Sequence, residues 1–126
     1  VADTEQHFAA IEADIGAGVP QYFSYKLPEE MSESDFERWK KALGKAERAV
    51  AELGMEETQP GYAGADVGPL IKQGVVGFGL RMDSSTYWPI HHTHADTIDK
   101  IDPELLRKNT AAMAIWAWSL ANLQLD

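Results

Sequence analysis

Apolar residues recur along this chain at two periods, one near three and a half residues and one near two, and each marks a different kind of element. Phe36, Trp39, Leu43, Ala46, Val50 and Leu53 step by three and four, which predicts a surface helix with one buried stripe. Ser34-Asp35-Phe36-Glu37 reads as its capping box and Gly54 as its stop. Glu37, Arg38, Lys40, Lys41, Lys45, Glu47 and Arg48 then form a solvated face, with pairs such as Glu37 to Lys41. A second helix is launched by Asp102 as N-cap, Pro103 at the first helical position and Glu104 in the first turn. Its apolar residues, among them Leu106, Met113, Trp116 and Leu120, cover more than one face, which predicts deep packing on several sides. Trp116 and Trp118 read as core and boundary aromatics.

Short apolar runs bounded by polar residues predict strands over 7–13, 21–26, 55–58 and 75–82. In the last of these Gly77 and Gly79 alternate, which points to close backbone approach on one face. Residues 59–64 read as a loop, and 66–73 as a short helix ended by Gly74. Strands and helices of this kind predict an α/β unit in which helices flank a central sheet. Residues 83–97 are too long an irregular stretch to be idle inside a compact domain.

With 126 residues, 44% of them hydrophobic, the chain has the size and apolar content of one domain. Its net charge of -9, without a basic patch interleaved with aromatics, argues against nucleic acid as a partner. No apolar run approaches the roughly 20 residues of a membrane span. The absence of cysteine excludes a disulfide scaffold and a thiolate metal site.

The long loop carries the chemistry. His91-His92-Thr93-His94-Ala95-Asp96-Thr97 concentrates three imidazoles and a carboxylate just after a strand, where open α/β sheets place their sites. Imidazole nitrogen and carboxylate oxygen are the ligands zinc takes when thiolates are absent. Asp14 ends the first predicted strand and is a second source of carboxylate.

Taken with Gly64-x-Asp66-x-x-Pro69-Leu70 and Glu12-Ala13-Asp14-x-Gly16, the motif His92-Thr93-x-x-Asp96-Thr97 makes the chain resemble the C-terminal portion of an M28-type zinc exopeptidase catalytic domain, of the carboxypeptidase Q-like (plasma glutamate carboxypeptidase) branch. The three motifs stand in the family's order. The resemblance implies a site with two zinc ions, in which Asp14 is the carboxylate ligand at a strand end and His92 the last imidazole ligand. It implies that Asp66 belongs to the active-site loop without binding metal. His91 then orients a neighbour or lines the pocket, and His94 is a pocket residue, an outer donor or simply exposed. Asp96 fixes a ligand tautomer or forms an Asx turn. Tyr87 and Trp88 flank the substrate or pack the loop's own core.

In the family the first ligand pair, the bridging Asp and a consecutive Glu-Glu pair precede the Glu-x-Asp strand, and residues 1–13 supply neither a His-x-Asp nor a Glu-Glu. The resemblance therefore implies that residues 1–126 are a partial catalytic domain, with the general-base Glu contributed upstream and no catalytic residue within the chain. It implies peptide termini as substrates, an exported (periplasmic or secreted) protein, little activity of the isolated chain, and self-association or pairing with the complementary part. Two other readings stay open: a non-catalytic binding or structural module of the same fold, and an aminoacyl cyclase of the glutaminyl cyclase type with a single zinc.

Overall fold

A computed structural model describes residues 6–126. Four strands, β1 (Ala9–Glu12), β2 (Pro20–Lys26), β3 (Gln59–Pro60) and β4 (Val76–Met82), form one sheet in the order β1-β4-β2-β3. β4 pairs in parallel with β1 and antiparallel with β2, which pairs in parallel with β3, so the sheet is mixed. The helices are α1 (Glu33–Ala51), α2 (Gly68–Ile71) and α3 (Pro103–Ala121), with a single 3-10 turn at Ile98–Lys100.

The alternation along β4 explains the layers. Val76, Phe78, Leu80 and Met82 join Phe23 of β2 in the core cluster that takes up Trp39, Leu43 and Val50 of α1 and Trp116 and Leu120 of α3. Of the positions between them, 77 and 79 hold glycine. A Cβ on Gly77 would lie 2.5 Å from the Ile71 side chain, and one on Gly79 would lie 2.6 Å from the Ala63 carbonyl oxygen. The missing side chains let α2 and the loop before it lie directly on the second face, where Ala10, Ala63, Val67 and Val75 form a smaller core.

Several boundaries differ from the sequence reading. The N-cap of α1 is Ser32, whose hydroxyl accepts from the Asp35 amide at 3.1 Å, so the cap stands two residues before the one predicted. This register puts Glu33 and Asp35 in the first turn, where the helix dipole favours acids. Arg38 pairs with Asp35, and the Glu37 to Lys41 pair is not among the ion pairs of the described residues. Residues 55–58 are not a strand: Met55 drops into the core, the Glu56 amide donates to the Gln21 carbonyl at 2.7 Å, and the Thr58 amide and hydroxyl both donate to the Glu47 carboxylate. Pairing begins only at Gln59–Pro60, where a loop was expected, on a sheet edge that tolerates proline's missing donor. The first strand is shorter than 7–13, with Phe8 instead stacked on Trp39 at 4.8 Å.

α3 starts as predicted, the Asp102 carboxylate accepting from the Glu104 and Leu105 amides. It buries one face only, Asn109, Ala112, Trp116 and Leu120, and leaves Leu106 and Trp118 exposed, so packing on several sides is not what is found.

Candidate metal centre

Strand directions decide what meets at the sheet edge. Because β1 and β4 run parallel and β2 returns antiparallel, the segment 13–19 after β1 and the segment 83–97 after β4 emerge on the same side of the sheet. Asp14 is exposed two residues beyond β1. Three backbone devices hold this edge. The Glu12 carboxylate accepts from the Asp66 amide at 2.9 Å and the Val67 amide at 3.2 Å, drawing the loop 64–67 over the end of β1. Gly64 makes room for that carboxylate, with φ of 137° and a position where a Cβ would collide with Glu12. Asp66 thus stands beside the strand end through its backbone, with its side chain exposed.

The second device joins the two segments, and the third ties the first of them to α3. The Asp83 amide donates to the Val19 carbonyl at 2.8 Å, and a Cβ on Gly18 would lie 1.9 Å from the Asp83 carbonyl oxygen. From α3, Asn109 Nδ2 donates to the Gly18 carbonyl at 2.8 Å. Gly18→Ala should therefore destabilise the chain by about 3 kcal/mol, the upper range for overpacking, in urea unfolding. Gly68→Ala, where nothing lies within 4 Å, should be nearly neutral; equal effects would mean that the 18–83 contact is loose.

Past Asp83 the chain coils through successive turns, with the His91 amide donating to the Tyr87 carbonyl at 2.9 Å. Tyr87, Trp88 and His91 form a cluster with ring centroids 4.7 to 5.3 Å apart, and His92 stacks on His91 at 3.6 Å. His92 has φ of 56°, a left-handed conformation that costs a non-glycine residue energy. Tyr87 packs over Gly16, where a Cβ would lie 3.2 Å from its ring. Desolvation and then the charges of Asp14 and Asp96 push the Tyr87 hydroxyl above its usual pKa. Tyr87 thus touches Gly16 of the first segment and His91 of its own, and His91 touches His92.

Hydrogen bonds from the Ser85 hydroxyl and amide hold the Asp83 carboxyl below the ordinary range. Lys100 and then Thr97 hold Asp99, outside the cluster, at about 2. Asp96 enters the loop's hydrogen bonding through its amide, donated to the Thr93 carbonyl, while the Thr93 hydroxyl donates to the Ile90 carbonyl at 2.6 Å. His94 is exposed, as is Trp88, whose Nε1 donates to the Ser84 hydroxyl. A groove of about 900 Å³ lies elsewhere, between the 26–30 connector, loop 61–64 and α2, and none of the predicted site residues lines it.

The donors fit zinc in kind, carboxylate oxygen and imidazole nitrogen. In number they fall short, since among the described residues no group of three or more His, Cys, Asp or Glu is arranged to hold a metal ion. Sequence reasoning missed Glu12, Gly18 and Asn109 as the residues that shape this edge. Asn109 had a visible signal: it is the polar member of the 109, 112, 116, 120 stripe that α3 buries.

Comparison with known proteins agrees with the fold. A structure described as a Peptidase M28 precursor from Shewanella amazonensis SB2B matches with a TM-score of 0.71 and 33% identity, over 91% of this chain and 24% of that one. Carboxypeptidase Q of Rattus norvegicus is 34% identical over 61 residues, and that of Mus musculus 35% identical over 60. Each of these matches covers 48% of this chain and 13% of the relative. The family model described as Peptidase family M28 matches residues 3–117. With most of its length matched by that model, and its α/β fold shared with a solved member, this chain belongs to peptidase family M28 and is similar to its carboxypeptidase Q members.

Proposed function

We propose that residues 1–126 form part of the catalytic domain of a dinuclear zinc exopeptidase, with Asp14 and His92 as metal ligands. The observation that carries this reading is the shared sheet edge, where the segment carrying Asp14 and the segment carrying the histidines emerge together and Tyr87 of the second packs over Gly16 of the first. Zinc, when bound, polarises a scissile carbonyl and activates water. The chain's own residues supply one carboxylate and one imidazole toward it, held by the Glu12 clamp and by the left-handed turn at His92. Asp66 shapes the strand end, and His91 and Asp96 flank the ligands. Tyr87, Trp88 and His94 border the space a peptide terminus would enter. Export to the periplasm or outside the cell belongs to the same reading, and among the described residues no helix is long and apolar enough to cross a membrane.

Two donors are fewer than the three that a catalytic zinc site needs. The 126-residue chain should therefore bind zinc weakly and hydrolyse little or no aminoacyl or dipeptide substrate. Robust cleavage abolished by a chelator would overturn the ligand assignment, with His91 and His94 the next candidates. A non-catalytic module of the same fold is the second reading, favoured by the lack of a three-donor group among the described residues.

Among the described residues β1 has a partner strand on one side only, and Phe8 beside it is exposed. Unpaired edges of this kind recruit further strands. The chain should self-associate or capture a complementary polypeptide through 8–13, and a monodisperse monomer at high concentration in sedimentation would contradict this.

A further inference from the structure

We infer that Asn109 of α3 is a positioning residue that sets the segment carrying Asp14 against the segment carrying His92; its bearing on zinc rests on the metal reading above. A buried amide in an apolar stripe is costly unless it makes hydrogen bonds. Asn109 is 6% exposed, and its Oδ1 is buried without a partner among the described residues. A leucine would suit that stripe better by packing alone. What the amide adds lies in its Nδ2, which donates at 2.8 Å to the Leu105 carbonyl one turn back in its own helix and at 2.8 Å to the Gly18 carbonyl. The second bond is the one that leaves α3.

Gly18 is the point where a hold from α3 reaches both segments. Its α-carbon lies against the Asp83 carbonyl with no room for a side chain, and the next carbonyl, that of Val19, accepts the Asp83 amide at 2.8 Å. Two consecutive carbonyls thus bind α3 and the first residue beyond β4. Asp14 lies four residues before Gly18, and Tyr87 four residues after Asp83, packed over Gly16. Movement of α3 relative to the sheet is thereby transmitted to the separation of the carboxylate and the imidazoles.

The test compares Asn109→Leu and Asn109→Ala with Leu120→Ala, a loss of packing on the same face of α3. Asn109→Ala suits a helix and removes the unpaired Oδ1, so it keeps the chain folded if leucine does not. In the metal-free chain, exchange of the Asp83 amide should accelerate roughly fivefold relative to amides within β4 in the Asn109 variants, matching one lost hydrogen bond. The nuclear Overhauser contact between Gly16 and Tyr87 should weaken with it. Zinc titration of the folded chain, followed by the His92 ring resonances, should show affinity reduced about tenfold. Leu120→Ala should lower global stability and leave all three readouts unchanged.

Unchanged Asp83 exchange in both Asn109 variants, or the same pattern in Leu120→Ala, overturns the positioning role. Asp14→Asn separates the two readings. If it leaves the zinc titration unchanged while Asn109→Ala still loosens the Asp83 amide, the metal assignment fails and the positioning of the two segments is supported.

Discussion

Trp116→Ala should cost the chain a large share of its stability. The indole is fully buried, stacked on Phe23 at 4.4 Å and edge-on to Phe78 at 5.5 Å, and it joins α3 to the two central strands of the sheet. Truncating a buried tryptophan costs about 3 to 5 kcal/mol in transfer and cavity energy. A domain of this size has only roughly 5 to 15 kcal/mol of stability to lose. The indole Nε1 is buried without a hydrogen-bond partner among the described residues, so its removal also relieves a desolvation cost, which holds the loss toward the lower end. Trp118, two residues on and 73% exposed, is the control. Trp118→Ala should change stability by no more than about 0.5 kcal/mol. Urea unfolding followed by far-ultraviolet dichroism measures both, and equal effects would mean that α3 is rotated from the packing described.

The second large effect concerns activity and rests on the proposed metal site. In a protein carrying this chain together with the rest of its catalytic domain, Asp14→Asn and His92→Ala should each lower peptide hydrolysis by about a hundredfold or more. Residues that merely orient metal ligands already cost about 10 to 100-fold when changed, and a ligand should cost at least as much. Both side chains are exposed and neither belongs to the core, so thermal unfolding of the metal-free protein should stay unchanged. His94→Ala should retain activity within about tenfold, since its imidazole stands apart from the Tyr87, His91 and His92 ring contacts. Activity that survives His92→Ala and disappears with His94→Ala would move the ligand by two residues. That shift is a real alternative, because the tight turns of 83–97 present several imidazoles over a short span, and the positive φ of His92 is what singles it out.

The residue pattern alone determined α1, α3, the central strand β4 and the Asp102 cap, since each depends on residues within a few positions of one another. It also singled out the candidate residues of the proposed site, as the histidine run and the Glu12-Ala13-Asp14 strand end are legible as composition and as motif. Where two local signals competed, tertiary contacts chose between them. Gln59–Pro60 pairs with β2 although 55–58 reads as a strand, because Met55 is drawn into the core and Glu47 holds Thr58. The meeting of the two segments at one sheet edge lay wholly beyond local pattern. Glu12 finds the Asp66 amide 54 residues away and Asn109 finds the Gly18 carbonyl 91 residues away, and the parallel pairing of β1 with β4 sets Asp14 and the histidine segment on one edge. Periodicity records which face of an element is buried, and only packing decides what that face meets.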